Sequence, residues 1–179
     1  GNLQDDDRQF GGAEFDDEVV AMTRELNREG VELARAACEK FATPSRPRFV
    51  LGSMGPGTKL VSLGQTNWDL MLQSYEEQAR GLLDGGTDAF LIETCQDLLQ
   101  VRCAVNACLK ALDERGMGPE QVPIMVSITI EATGTMLLGS DIASAVNALR
   151  MLPIASLGLN CATGPVEMTT HVDFLCQHW

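Results

Sequence analysis

The sequence predicts an α/β protein in which a parallel sheet is covered by helices, and three observations lead there. Four short apolar runs each end in glycine, proline or polar residues, as buried strands do where they hand over to a loop. A stretch with apolar residues at helical spacing follows every run, and one more precedes the first. Strand starts recur about 30 to 40 residues apart, the length of a strand plus a crossover helix, and strands joined through helices run parallel. Two architectures satisfy this order: an open doubly wound sheet, or part of a (β/α)8 barrel, whose eight units typically take about 250 residues. Four units would be half a barrel and would leave two strand edges unpaired.

Residues 1–15 are acidic and contain Gly11 and Gly12, so a mobile segment is expected there, with the folded domain in 16–179. Asp16 or Asp17 caps a first helix, in which Val19, Val20, Leu26, Val31, Leu33, Ala34 and Ala37 recur to about Lys40 before Pro44 and Pro47 end it. Arg48 to Ser53 reads as a short buried strand, and Gly55-Pro56-Gly57 stops it. A second helix starts at Asn67 or Asp69, carries Leu70, Met71, Tyr75, Ala79 and Leu82 on one face, and ends at Gly85-Gly86. Ala89 to Cys95 is the next strand. Asp97 then caps a third helix to about Arg115, with Leu98, Val101, Val105, Cys108 and Leu112 on one face. Pro123 to Ile130 is the third strand, Glu131 to Met136 a polar loop, and Ser140 or Asp141 the cap of a fourth helix to about Leu149. The fourth strand delivers Cys161, and Pro165 suits the first turn of a fifth helix.

Composition bounds the function. The formal charge of −12, with no basic cluster to offset it, repels phosphate backbones and argues against nucleic acid as a partner. No apolar run reaches the roughly 18 to 20 residues of a membrane helix and no targeting segment leads the chain, so a cytoplasmic protein without a membrane partner is expected. The six cysteines show no disulfide framework and read as reduced thiols, mostly core residues, Cys103 and Cys108 among them. The chain opens on Gly1 rather than Met and closes on Trp179 within a helical stretch, which is expected of a piece of something longer.

Chemistry-bearing residues gather where strands end. Glu93 closes a run of apolar residues, so its carboxylate must find a cation or hydrogen-bond donors; a ligand ammonium and a purely structural role both satisfy that. Asn160-Cys161 precedes a Gly-Pro turn, and the thiol there could be a nucleophile, a metal ligand or a small buried residue. No Cys-x-x-Cys accompanies it. His171 and His178 read as ordinary residues of the last helix, which carries His171 away from Cys161. Gly52, Gly55 and Gly57 match neither the dinucleotide nor the phosphate-loop pattern.

Four separated stretches carry a resemblance: Val50-Leu-Gly-Ser-Met-Gly-Pro-Gly-Thr-Lys-Leu60, Phe90-Leu-Ile-Glu-Thr-Cys-Gln-Asp97, Thr133-Gly-Thr-Met-Leu-Leu-Gly139 and Gly158-Leu-Asn-Cys-Ala-Thr-Gly-Pro165. In order and spacing they resemble the homocysteine-binding domain of cobalamin-dependent methionine synthase. The resemblance runs from about residue 16 to the end and implies a partial (β/α)8 TIM barrel, comprising its third to sixth βα units, truncated at both ends. It further implies a zinc-dependent homocysteine S-methyltransferase module in which Cys161 is one of three zinc thiolates, Glu93 binds the substrate ammonium and Asn160 orients the site. The family's adjacent cysteine pair and its early Asp-Gly-x-x-Gly-Thr segment are absent from this chain, so the other two zinc ligands would lie outside it. Homocysteine is then the substrate, methylcobalamin the methyl donor, and the cobalamin-binding and folate-binding domains of a longer parent chain the partners. The 179 residues alone are expected to bind zinc weakly and to be inactive. The alternatives are a homocysteine methyltransferase using betaine or S-methylmethionine, and a non-catalytic α/β binding module in which Cys161 only packs.

Overall fold

The computed structural model describes residues 16–179. The expectation for residues 1–15 lies outside them. The chain forms α1 (Asp17–Phe41), β1 (Leu51–Met54), a 3-10 turn (Val61–Leu63), α2 (Trp68–Asp84), β2 (Ala89–Cys95), α3 (Leu98–Asp113), β3 (Ile124–Ile128), α4 (Ile142–Leu149), β4 (Ser156–Leu159) and α5 (Pro165–His178).

Short polar side chains start the helices where the sequence places them. Asp16 accepts from Glu18 N at 2.9 Å, Asn67 from Leu70 N at 2.9 Å, Asp97 from Leu99 N at 3.3 Å and Asp141 from Ser144 N at 2.8 Å. Each satisfies one of the amide donors that a helix start leaves without an intrahelical partner. Pro165 opens α5, where its missing N–H costs nothing.

All four strands are parallel and lie in the order β1-β2-β3-β4. Parallel crossovers are right-handed, so adding every strand on the same side of its predecessor sends every helix to the same face. A doubly wound sheet instead reverses its order and carries helices on both faces. The side-chain pattern agrees with a single covered face. Gly52, Met54, Phe90, Ile92, Ile124, Val126 and Leu157 share one side by register and are buried, whereas Leu51, Ser53, Leu91, Glu93, Met125, Ser127 and Gly158 alternate with them and, Leu51 and Ser53 being exposed, are at most half-buried. Against the covered side pack Met71, Tyr75 and Ala79 of α2 and Val101, Val105, Cys108 and Leu112 of α3, with the sulfurs of Met54 and Cys108 3.4 Å apart. Each large apolar side chain fully buried there contributes about 1.5 to 3 kcal/mol.

Two expectations are corrected by this one-sidedness. The first strand is shorter than expected and only half-buried: Leu51 keeps 45% of its surface exposed because no helix covers its side of the sheet. In α1 the buried stripe is Thr23, Asn27 and Val31 rather than the more apolar positions; Leu26 and Leu33 are exposed, and Asn27 stays inside by donating to Thr23 O at 2.8 Å. Of the six cysteines Cys95, Cys103 and Cys108 are buried, Cys38 is half-buried, and Cys161 and Cys176 are exposed. None of the helices of the described residues is long and apolar enough to cross a membrane.

Charged side chains join α1, α2 and α3 along their outer surfaces. Arg80 meets Glu76 at 2.9 Å, Glu114 at 2.7 Å and Glu77; Lys110 closes on Glu76 at 2.7 Å; Asp84 takes Arg24 at 2.6 Å and Arg115 at 2.5 Å. Burial alone would raise the Asp84 carboxyl, but the hydrogen bonds from Arg24 and Arg115 outweigh it and hold the group below its ordinary 3.8. Arg80 likewise holds Glu114 below 4.5. A carboxyl depressed on folding stabilises the fold above its unfolded pKa, and that contribution is lost as pH falls through the folded one. Urea unfolding midpoints are therefore expected to drop as pH falls below about 5, and to drop less steeply in Asp84→Asn; equal slopes would exclude Asp84 as a contributor.

Candidate functional site

In parallel α/β sheets the strand C-termini and the loops that follow them form the rim where ligands bind. Here the residues on the helix-free side converge at that rim. Ser53, in β1, donates its hydroxyl to Glu93 Oε1 at 2.5 Å, which anchors the carboxylate from the neighbouring strand. The end of β1 and the loop after it are held from the helices: Gln78 Nε2 donates to Ser53 O at 3.4 Å, Tyr75 Oη to Gly55 O at 3.1 Å, and Gln100 Nε2 to Pro56 O.

Asn160, directly after β4, is the hub. Its Oδ1 accepts from the Thr94 main-chain N at 3.1 Å and from Ser127 Oγ at 2.7 Å. Its Nδ2 donates to Thr94 Oγ1 at 2.7 Å and to Cys161 Sγ at 3.3 Å. Its main chain is fixed as well: N donates to Ile128 O at 3.2 Å, and O accepts from Thr129 Oγ1 at 3.2 Å. One amide thereby ties the ends of β2, β3 and β4 together.

Cys161 lies two residues beyond the end of β4, in the turn rather than the strand, and is exposed. Thr94 Oγ1 stands 3.8 Å from its sulfur. The reading of this thiol as a small packing residue loses its physical basis with that exposure. Among the described residues, the non-glycine positions with positive φ are Thr94 at 60°, Cys161 at 62° and Ala162 at 55°, all of them here. For a β-branched residue such as Thr94 this conformation costs on the order of 1 to 3 kcal/mol, and such strain gathers at functional positions.

The other thiols differ in kind. Burial, then the charges of Asp97 and Glu93, push Cys95 up to about 12, and burial pushes Cys103 up to about 12 and Cys108 further still. All three stay protonated at neutral pH and are core residues, as expected for Cys103 and Cys108. Among the described residues no three His, Cys, Asp or Glu side chains are placed so that they could hold a metal ion together. The described part of the chain thus presents one accessible thiol, Cys161, at the rim. His171 and His178 lie on α5, the latter with its ring centre 4.2 Å from that of Phe174 and tilted by 38° to it.

The structure therefore brings Asn160 and Cys161 together and connects them to Thr94, the residue after Glu93. Ser53, Thr94 and Ser127 escaped the sequence reading. For Ser127 a signal existed: a polar residue between Val126 and Ile128 in an apolar strand marks the alternate side of the sheet.

A profile described as Homocysteine S-methyltransferase matches residues 10–179. Methionine synthase of Mycobacterium leprae is 46% identical over 163 residues, and that of Mycobacterium tuberculosis 45%; in each case 91% of this chain matches 13% of the relative. Among solved structures, the apo form of the homocysteine methyltransferase MmuM from Escherichia coli superposes with a TM-score of 0.70 at 21% identity, over 96% of this chain and 60% of that one. Its oxidised form gives 0.67 at 20% identity, over 87% and 55%.

Proposed function

The chain belongs to the homocysteine S-methyltransferase family, and from that membership we propose that it supplies the central βα units, third to sixth, of a (β/α)8 barrel that holds homocysteine for S-methylation. The unidirectional strand order, the helix-free face and the two unpaired edges of β1 and β4 support the barrel. The observation that carries the reading is the Asn160 hub, which sets an exposed thiol and the end of the Glu93 strand at one rim.

In this reading the Glu93 carboxylate, steadied by Ser53, receives the substrate ammonium. Asn160 holds the Cys161 turn, and Cys161 is one thiolate of a zinc site completed by two ligands outside this chain. Zinc bound by thiolates would keep the substrate sulfur in its nucleophilic, deprotonated form at neutral pH. The chain alone, with a single ligand, binds zinc weakly and does not turn over. The chain spans 13% of the methionine synthases it matches, and its 45% and 46% identity to them favours methylcobalamin as donor, with cobalamin-binding and folate-binding domains as neighbours, over betaine or S-methylmethionine.

The test is substrate-based. In an enzyme containing this chain, Glu93→Gln is expected to raise KM for homocysteine about 10- to 100-fold, the scale of losing a charge-assisted contact of about 1.5 to 3 kcal/mol. For 4-mercaptobutyrate, which keeps thiol and carboxylate but has no ammonium, the same substitution is expected to change nothing. An equal penalty on both thiols would remove Glu93 from the ammonium site.

A further inference from the structure

An asparagine amide has two ends of nearly equal size, so its neighbours decide which way round it sits. At Asn160 they decide firmly. The Thr94 main-chain N–H can only donate, and it lies 3.1 Å from Oδ1; a reversed amide would set NH2 against it. Ser127 Oγ adds a second donor to the same oxygen at 2.7 Å. At the other end Thr94 Oγ1 accepts from Nδ2 at 2.7 Å, so the second hydrogen of that nitrogen is left for Cys161 Sγ, 3.3 Å away.

Thr94 thus grips the amide twice, with its main chain on the oxygen and its hydroxyl on the nitrogen. It does so at φ 60°, where a β-branched side chain is disfavoured and where glycine or asparagine would relieve the strain. Because Thr94 follows Glu93 directly, the same residue that fixes the amide also joins it to the strand end bearing the carboxylate.

Resting on the reading of Glu93 and Cys161 given above, we propose that Thr94 is a positioning residue whose hydroxyl locks the Asn160 amide with its N–H toward the Cys161 sulfur and so fixes that sulfur relative to Glu93. Nothing of substrate need touch Thr94. It acts through Asn160, with its own hydroxyl 3.8 Å from the Cys161 sulfur beside that route.

The orientation can be read, in an enzyme containing this chain, by 15N NMR of the Asn160 side-chain amide, assigned by its disappearance in Asn160→Asp. The native chain and Thr94→Ser are expected to show this NH2 pair displaced from the solvent-exposed position and slow to exchange. Thr94→Val, which keeps the shape, and Thr94→Ala, which also drops the β-branch, are expected to return it to the solvent-exposed position. An unchanged pair in both variants would overturn the proposal. In an enzyme containing this chain, Thr94→Val is expected to raise KM for homocysteine about 10-fold, the lower range for losing a supporting partner of a site residue, with Thr94→Ser close to native. If Glu93→Gln and Cys161→Ala impair homocysteine turnover while Thr94→Val does not, the positioning role fails alone. If all three are silent, the assignment of the site fails with it.

Discussion

Cys161→Ala, in an enzyme containing this chain, is expected to lower methylation of homocysteine at least 100-fold. Losing only a supporting partner of a metal ligand typically costs about 10- to 100-fold, and loss of a thiolate itself must cost more. The fold should be indifferent, because Cys161 is exposed and alanine keeps the same backbone requirement at φ 62°. Cys176→Ala is the matched control, an exposed thiol on α5 away from the rim, and is expected to leave turnover unchanged. Turnover of Cys161→Ala within a few-fold of native would exclude a ligand role. Zinc added with homocysteine should also slow alkylation at Cys161 and not at Cys176; equal rates would count against the same role.

The second large effect is on stability and comes in two opposite signs. α1 crosses α2 so closely that a Cβ on Gly81 would stand 2.5 Å from Arg24 O and 2.9 Å from Asn27 Cβ. The obstacle is main chain, which cannot swing aside, so Gly81→Ala is expected to destabilise by about 2 to 3 kcal/mol, the upper part of the range for overpacking. Gly30, in α1, has nothing within 4 Å of the same added atom. Gly30→Ala is then expected to stabilise by about 0.5 to 1 kcal/mol, the helix cost of glycine relative to alanine. Urea midpoints moving the same way in both variants would contradict the close α1–α2 crossing.

Local patterns carried much of this architecture. Helix caps at Asp16, Asn67, Asp97 and Asp141 were readable because a short side chain before an apolar-periodic run has one cheap use. The α3 face was readable for the same reason: Val101, Val105, Cys108 and Leu112 recur at helical spacing and are all buried. Strand order was not readable, since periodicity is local and adjacency in a sheet is not; doubly wound and singly wound sheets present the same alternation. Leu26 and Leu33 misled for a related reason. Hydrophobicity says that a residue would be stabilised by cover, and only the partner helix says whether cover exists on that side of α1.

The site divided the same way. Glu93, Asn160 and Cys161 stood out because strand ends with polar or reactive side chains are few. Thr94 and Ser127 did not, because their importance lies in meeting one amide from two other strands, 66 and 33 residues away along the chain. No spacing rule announces such a meeting. The positive φ of Thr94 is equally hidden, since threonine is among the residues least suited to it.

The unidirectional order of the sheet also bears on how the chain assembles. Each of β2, β3 and β4 pairs with the strand before it in sequence, across one α-helix, so pairing among the described strands never waits for a distant segment to arrive. Loop-closure cost stays modest at each addition. Growth can therefore proceed one strand-and-crossover-helix unit at a time during synthesis, from the N-terminal side onward, with each docked segment serving as the template for its successor.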